Sequence, residues 1–192
     1  MTSFKIIDGA MGSELIQRGL TLPKYTWSAS ANITYPEIVQ QIHREYIDAG
    51  ADYITTNTFR TTPRSYLKTG LGLSEAKKQA LLSLSSALEM AHRAKKNTEV
   101  KILGSIAPLE DCYSPQLFPG KNIAISEFSQ LGGWLIGAGV DILLLETMNS
   151  IIETAKTVVI YGNQTSFYQK LPAFFRTRFP WAAICSNSHF LG

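Results

Sequence analysis

Two stretches of the chain share one pattern of apolar and polar positions. Residues 47–58 and residues 136–147 each begin as the end of a helix, pass through a glycine and an aspartate, and then become apolar. Glycine adopts the left-handed conformation that closes many helices, so each stretch predicts a helix followed by a strand. The apolar run ends on one polar side chain, Asn57 in the first copy and Glu146 in the second. Repeated units of this kind predict a βα architecture, which holds its chemistry at the carboxyl ends of its strands.

Strand-like and helix-like segments alternate through the body of the chain. Apolar residues at helical spacing predict a helix that begins at a capping box, residues 34–37, and ends at Gly50. A second predicted helix covers residues 73–95, and a third has Ser126 as its N-cap and ends at Gly139. The apolar runs that predict strands are residues 4–8, 53–56, 100–105 and 142–146.

This alternation fits half of a barrel better than a complete open sheet. A (β/α)8 barrel usually takes about 250 residues, and the pattern here occupies roughly the first 160. An open doubly wound sheet would fit the length, but the chain has neither a G-x-G-x-x-G motif nor a P-loop. We therefore predict an α/β fold of the (β/α)8 TIM-barrel type, truncated to about the first four βα units. Such a half barrel would leave a sheet edge without a partner strand.

The composition divides the chain into a body and a tail. Residues 1–160 carry balanced charge, whereas residues 161–192 contain no acid and many aromatic side chains. The formal net charge of +3 therefore comes from the tail, through Lys170, Arg176 and Arg178. We interpret the body as the N-terminal half of a barrel and the tail as a segment outside the βα pattern.

Charge and hydropathy exclude several classes of function. A nucleic-acid surface needs basic residues along one face, and the body of the chain has no such cluster. No apolar run reaches about 18 residues, so we expect no membrane-spanning helix. The first residues lack the apolar core of a signal peptide, and two cysteines are too few for a disulfide framework. We expect a cytoplasmic protein without nucleic-acid or membrane partners.

Four short motifs follow one another in the body of the chain. They are Asp-Gly-Ala-Met-Gly-Ser-Glu-Leu at residues 8–15, Thr-Thr-Asn-Thr-Phe at 55–59, Gly-Ser-Ile-Ala-Pro at 104–108 and Leu-Leu-Glu-Thr at 144–147. In this order and spacing they resemble the homocysteine S-methyltransferase family over about residues 4–159. The resemblance implies a zinc-dependent (β/α)8 barrel that transfers a methyl group to the thiol of homocysteine and forms methionine. The donor would be a sulfonium, a quaternary ammonium or a methylated folate, and the sequence does not rank these.

The resemblance implies where homocysteine would bind. Glu146 would accept hydrogen bonds from its ammonium group, Asp8 and the backbone at Gly9 and Ala10 would line the same cavity, and Asn57 would shape it. A carboxylate opposite an ammonium is an efficient charge-assisted recogniser. Each of these polar residues also has a purely structural interpretation. Glu146 could satisfy nearby backbone, Asp8 could cap its own turn, and Asn57 could organise its loop.

The zinc ligands implied by the family are missing from this sequence. They would be three cysteines, in a Gly-Val-Asn-Cys-like motif and a Gly-Gly-Cys-Cys-Gly-like motif, and neither motif is present. Cys112 and Cys185 lie outside any such pattern. Because the reactive form of a thiol is the thiolate, we expect this chain to lack the zinc site and methyltransferase activity. We therefore assign no catalytic or metal-binding residue.

Two other functions remain open at this point. The chain could be a non-catalytic half barrel that pairs with itself or with another chain through its open edge. It could also be a different barrel enzyme that uses Asp8 and Glu146 as an acid–base pair. Among the remaining titratable residues, we interpret Glu110 as a solvated loop acid and His43 and His92 as surface residues.

Overall fold

A parallel sheet forms the centre of the protein. The computed structural model describes residues 4–148 and Glu153. The sheet has three strands in the order β1-β2-β3, which are β1 (Tyr53–Thr55), β2 (Lys101–Ile106) and β3 (Ile142–Leu145). Both pairings are parallel. The predicted α/β class and three of the four predicted strands are confirmed.

The remaining predicted strand, residues 4–8, is reduced to one parallel bridge between Ile7 and Tyr53. Next to this bridge, the backbone oxygen of Ile6 accepts hydrogen bonds from the N–H groups of Asp52 and Tyr53, at 2.8 and 3.1 Å. Within residues 4–148, no strand pairs with the other side of this segment. The predicted strand is therefore too long. Among the described residues the segment pairs only with β1, and this pairing is limited to the bridge at Ile7.

Helices connect the strands, as the alternation predicts. Two of them, α5 and α6, pack against the sheet, and the predicted helix at residues 73–95 is confirmed as α5. No helix within the described residues is long and apolar enough to cross a membrane. The helices are α1 (Met11–Gln17), α2 (Ala31–Thr34), α3 (Pro36–Asp48), α4 (Pro63–Leu67), α5 (Leu73–Lys95) and α6 (Lys121–Gly137), with short 3-10 turns at Trp27–Ser30 and Pro115–Leu117.

Two predicted helix caps are wrong, although α3 does begin within the predicted box, at Pro36. Thr34 belongs to α2, where its hydroxyl donates to the backbone oxygen of Ser30 at 3.0 Å, so it does not cap α3. The N-cap of α3 is Tyr35, which makes no side-chain capping bond. Helix α6 begins after Gly120, whose φ of 96° sets the entry of the chain, and Ser126 lies inside the helix. A preceding helix in one case and a glycine turn in the other override the capping pattern.

The repeated glycine forms the same helix ending in both copies. Gly50 has a φ of 100° and Gly139 has a φ of 81°, both in the left-handed region. After α3, the N–H of Ala51 bonds to the backbone oxygen of Tyr46 at 3.0 Å, and a corresponding bond follows α6. This is the Schellman arrangement, which satisfies carbonyl groups left open at a helix end. The sequence repeat is therefore a structural repeat.

The repeated aspartate ties each turn to the preceding strand segment. The carboxylate of Asp52 accepts the N–H of Ile6 at 2.9 Å, and the carboxylate of Asp141 accepts the N–H of Ile102 at 2.8 Å. A lysine pairs with each aspartate, including Lys95 Nζ at 3.0 Å from Asp141. Burial opposes ionisation of Asp141, but these hydrogen bonds outweigh it and hold its pKa below the ordinary value.

The main hydrophobic core lies between the sheet and helices α5 and α6. A second cluster joins α1, α2, α3 and α5 on the other side of α5. In the main core, Gly104 of β2 leaves room for the side chain of Val140, which would lie 3.1 Å from a Cβ at that position. The central members of the main core are Ile54, Leu84, Leu88, Ile102, Ile106, Phe128, Leu131, Leu135 and Leu143.

Two interpretations of titratable residues are corrected by the packing. His43 is fully buried in α3, and neither ring nitrogen has a hydrogen-bond partner. Burial lowers its pKa to about 4, so it stays neutral at physiological pH. Glu110 is largely covered and forms ion pairs with Arg64, at 2.8 Å, and Lys68, rather than standing in solvent. His92 is exposed, as predicted.

Removing the Asp141 carboxylate should destabilise the fold through the turn it anchors. For Asp141→Ala we expect a loss of about 1–2 kcal/mol in the free energy of unfolding, since a bond from a backbone N–H to a charged group contributes roughly this much when partly exposed. Urea denaturation followed by circular dichroism measures the change. Asp48→Ala is the control, because its pair with Arg44 lies on the exposed face of α3 and should contribute less than about 0.5 kcal/mol. Equal losses in the two variants would contradict the anchoring role.

Candidate functional site

A cavity of about 700 Å³ opens at the carboxyl ends of the strands. The bridged segment ends there with Asp8, and the turn that follows contributes Gly9 and Ala10. The loop after β1 contributes Asn57, and the residue after β3 is Glu146. All five residues selected from the sequence therefore line one cavity. Parallel strands bring these positions together because their carboxyl ends share an edge.

Asp8 is held in place by the end of β1. One carboxylate oxygen of Asp8 accepts the backbone N–H of Thr55, and the other accepts its hydroxyl, each at 2.7 Å. Burial raises the pKa of Asp8 to about 6, although the two bonds from Thr55 act in the opposite direction, and the charge of Glu146 raises it further. The interpretation of Asp8 as the cap of its own turn is not supported by these bonds, which all run to β1.

Glu146 faces the same cavity from the end of β3. Its Oε1 accepts a hydrogen bond from the Ser105 hydroxyl of β2, and its Oε2 has no hydrogen-bond partner among the described residues. Burial raises the pKa of Glu146 above its ordinary value, against the effect of the Ser105 bond. The negative charges of the two carboxylates repel each other, and both groups are partly removed from water. A positively charged ligand between or beside them would relieve this repulsion.

Asn57 serves mainly the architecture of its loop. Its side-chain amide donates to the backbone oxygen of Ser28 at 2.9 Å and to Oδ1 of Asn32 at 2.8 Å. Asn32 donates in return to the backbone oxygen of Asn57 at 2.9 Å. Both residues are buried. These bonds fix the loop after β1 against helix α2, so Asn57 shapes the wall of the cavity.

Gly9 allows the turn after Asp8 to lie close to helix α3. A Cβ at this position would lie 2.6 Å from the Tyr46 hydroxyl and 2.9 Å from the ring carbon that bears it. The neighbouring Ala10 has extended backbone angles and begins α1. Both residues line the cavity.

The family model described as Homocysteine S-methyltransferase matches residues 5–186. The chain belongs to the homocysteine S-methyltransferase family. Homocysteine S-methyltransferase YbgG of Bacillus subtilis (strain 168) is 32% identical over 171 residues, which cover 80% of this chain and 53% of that protein. Homocysteine S-methyltransferase of Escherichia coli (strain K12) is 29% identical over 166 residues, covering 77% and 51%. The chain spans about half the length of these relatives.

Solved structures of a family member share the fold. The metallated form of the homocysteine methyltransferase MmuM from Escherichia coli superimposes with a TM-score of 0.68 at 24% identity, over 86% of this chain and 62% of that one. The apo form gives a TM-score of 0.63 at 22% identity, over 85% and 56%. At this level of identity the likeness concerns the fold alone.

The described side chains do not fit the zinc site that the family resemblance implies. Between residues 4 and 148, Cys112 is the one cysteine, and it lies on the loop after β2. No group of three or more His, Cys, Asp or Glu residues in the described part of the chain could hold a metal ion. Cys185 falls outside the described residues, as does the predicted tail at 161–192.

Several residues of the cavity wall did not emerge from the sequence. Arg60 and Lys24 bring positive charge, and Trp27 and Phe59 bring aromatic surface. Cys112 reaches the wall from the loop after β2. Arg60 lies three positions after Asn57, which the sequence had already selected as a site residue. This short separation could have identified Arg60 as a candidate. Lys24 and Trp27 come from a long connection whose path no local pattern reveals.

Neutralising Asp8 should stabilise the protein at alkaline pH. Its folded pKa of about 6 lies above the ordinary value, so its contribution to stability is present below about pH 4 and is lost as pH rises through 6. Asp8→Asn should therefore be more stable than wild type at pH 8, by about 1–3 kcal/mol, and only about a third of this gain should remain at pH 4.5, where folded Asp8 is protonated and unfolded Asp8 is largely ionised. Urea denaturation at both pH values measures this. Asp48→Asn on exposed α3 is the control, and a gain that does not depend on pH would contradict the assignment.

Proposed function

We propose that this chain binds homocysteine in the cavity at the strand ends. The supporting observation is that the carboxylates of Asp8 and Glu146 line one cavity and that burial raises the pKa of both. The α-ammonium of an amino acid supplies the missing positive charge. Charge-assisted hydrogen bonds to it are stronger than neutral ones. Membership in the homocysteine S-methyltransferase family selects homocysteine among the amino acids.

Under this proposal each carboxylate has a defined part. Glu146 receives the ammonium on Oε2, while Ser105 keeps Oε1 engaged and fixes the orientation of the group. Asp8 adds the second negative charge, and Thr55 holds its carboxylate against the strand. Binding of a cation lowers the pKa of both acids, so ligand uptake below neutral pH releases protons.

We propose further that the described residues are the first part of a (β/α)8 barrel. Parallel strands in the order β1-β2-β3, with the segment at Ile7 bridged beside β1, follow the sequence order expected around a barrel. Helices separate the first strand segment from β1, β1 from β2, and β2 from β3. The cavity lies at the carboxyl ends, where barrels of this class hold their ligands.

Methyl transfer needs more than homocysteine binding. The thiolate is the nucleophile, and zinc coordination is one way to form it at neutral pH. The described donors do not fit zinc, and the 192 residues contain neither cysteine motif of the family. We propose that this chain alone holds homocysteine as the thiol and leaves the methyl donor unreacted.

Self-association is the second candidate function. Phe4, Ile6 and Ile7, in the first strand segment, are 82%, 57% and 47% exposed. An edge with apolar side chains and no partner strand among the described residues favours pairing with another chain. Light scattering at several concentrations separates the two states, and a monomer throughout would count against this second candidate.

Glu146→Gln tests homocysteine recognition. The amide retains the volume and the Ser105 contact but removes the charge, so we expect affinity for L-homocysteine to fall at least about tenfold at pH 7.5. Isothermal titration calorimetry under reducing conditions measures it. 4-Mercaptobutanoic acid lacks the ammonium, and its affinity should not fall in the variant. Glu89→Gln on the exposed face of α5 is the matched control.

The pH dependence gives an independent test of the same proposal. Affinity of the wild-type chain for homocysteine should rise from pH 5 to pH 7 as Asp8 ionises, while the ligand ammonium stays charged below about pH 8. Flat affinity across this interval would contradict ammonium recognition by the carboxylate pair.

Elemental analysis of the purified chain should find no stoichiometric zinc. One tightly held equivalent, or methionine formation by the isolated chain, would contradict the proposed lack of thiol activation.

A further inference from the structure

Arg60 occupies a defined position on the cavity wall. It lies in the loop after β1, and its Nη1 donates to the backbone oxygens of Pro108 and Glu110, at 3.3 and 2.9 Å. The ring of Phe59 lies beneath it, with 5.0 Å between the guanidinium carbon and the ring centroid. These contacts join two strand-end loops and hold the guanidinium plane in one orientation.

The charge of Arg60 has no partner among the described residues. No carboxylate in this part of the chain lies within ion-pair distance of it, whereas Arg64, four positions later, is paired with Glu110 and Glu127. Burial lowers the pKa of Arg60, and the charges of Cys112, Asp111, Glu110 and Glu153 compensate only in part. A half-buried guanidinium without an ion pair favours an anionic ligand.

Two of the Arg60 nitrogens remain open for such a ligand. Nε and Nη2 make no hydrogen bond with the described residues. They are also not among the polar atoms that are sealed from solvent without a partner, although Arg18 and His43 contribute such atoms. Arg60 is one of the residues that line the cavity, so a ligand bound there lies within reach of this side chain. An Nε and an Nη of one guanidinium form the edge that binds a carboxylate in bidentate fashion.

We propose that Arg60 binds a carboxylate group of a ligand in this cavity. The inference rests on the proposed function and adds the anion site that complements the ammonium site at Asp8 and Glu146. Two ligands carry the required group, namely homocysteine itself and the methyl donor. Betaine, S-methylmethionine and methylated folates, which represent the three donor classes, all contain a carboxylate. Arg60 therefore determines which thiols or which donors the cavity accepts.

Ligands that differ only by the carboxylate test this assignment. L-Homocysteine is compared with 3-aminopropane-1-thiol, and S-methyl-L-methionine with 3-aminopropyl-dimethylsulfonium, by calorimetric titration of wild type and Arg60→Gln. We expect Arg60→Gln to lose at least about tenfold in affinity for one carboxylate-bearing ligand and to bind its carboxylate-free analogue as wild type does. The pair that responds identifies the source of the carboxylate. Arg60→Lys retains charge without the bidentate edge and should give an intermediate loss.

A purely structural role for Arg60 predicts a different result. If the substitution only loosened the two loops, affinity for the carboxylate-free analogues would fall by the same factor, and this would overturn the proposal. Arg93→Gln, on the exposed face of α5, is the control and should change neither affinity.

The outcomes separate this inference from the proposed function. Arg60-dependent binding of S-methylmethionine without any binding of homocysteine would overturn homocysteine recognition and support the anion site. If homocysteine binding depends on Glu146 but the affinities of all four compounds are unchanged in Arg60→Gln, homocysteine recognition is supported and the anion site is overturned. If wild type binds none of the four compounds, both proposals fail.

Discussion

Because neighbouring strands of this sheet pair in parallel, all of their carboxyl ends lie at the same edge. This alignment determines where the polar side chains after the strands can meet. In the observed register, Thr55 of β1 is paired with Leu103, two residues before Ser105, and Ser105 is paired with Leu144, two residues before Glu146. A slip of one residue would turn these side chains to the opposite face. The aspartates at the turns stabilise the register, because each bonds to the backbone of the adjacent strand segment.

The carboxylates at that edge illustrate a conflict between stability and ligand binding. Asp8 and Glu146 are desolvated and repel each other, so folding brings them together at a cost in free energy. The Thr55 and Ser105 hydroxyls reduce this cost without cancelling the negative charge. The same bonds hold both carboxylates in place, and groups that are already ordered lose less free energy when a ligand binds.

The features that the sequence predicted depend on local patterns. A glycine that closes a helix, an apolar run of strand length and the first polar residue after it are all visible in a short window, and these placed Asp8 and Glu146 at the cavity. Burial of His43 and the ion pairs of Glu110 depend instead on which helix packs beside them, and a short window does not contain that information. The contacts that position Arg60 are invisible for the same reason, since its neighbours Pro108 and Glu110 lie 48 and 50 positions away, although its nearness to Asn57 is a local signal.

The repeated turn also has a direction. Asp52 binds Ile6, and Asp141 binds Ile102, so in both copies the side chain reaches back to a segment that precedes it in the chain. A polypeptide leaves the ribosome with its N-terminus first, and its early segments can fold before later ones exist. Each aspartate therefore meets a donating N–H group on a strand segment that has already been synthesised. Such bonds allow each unit to pack on the preceding one while the chain is still being translated.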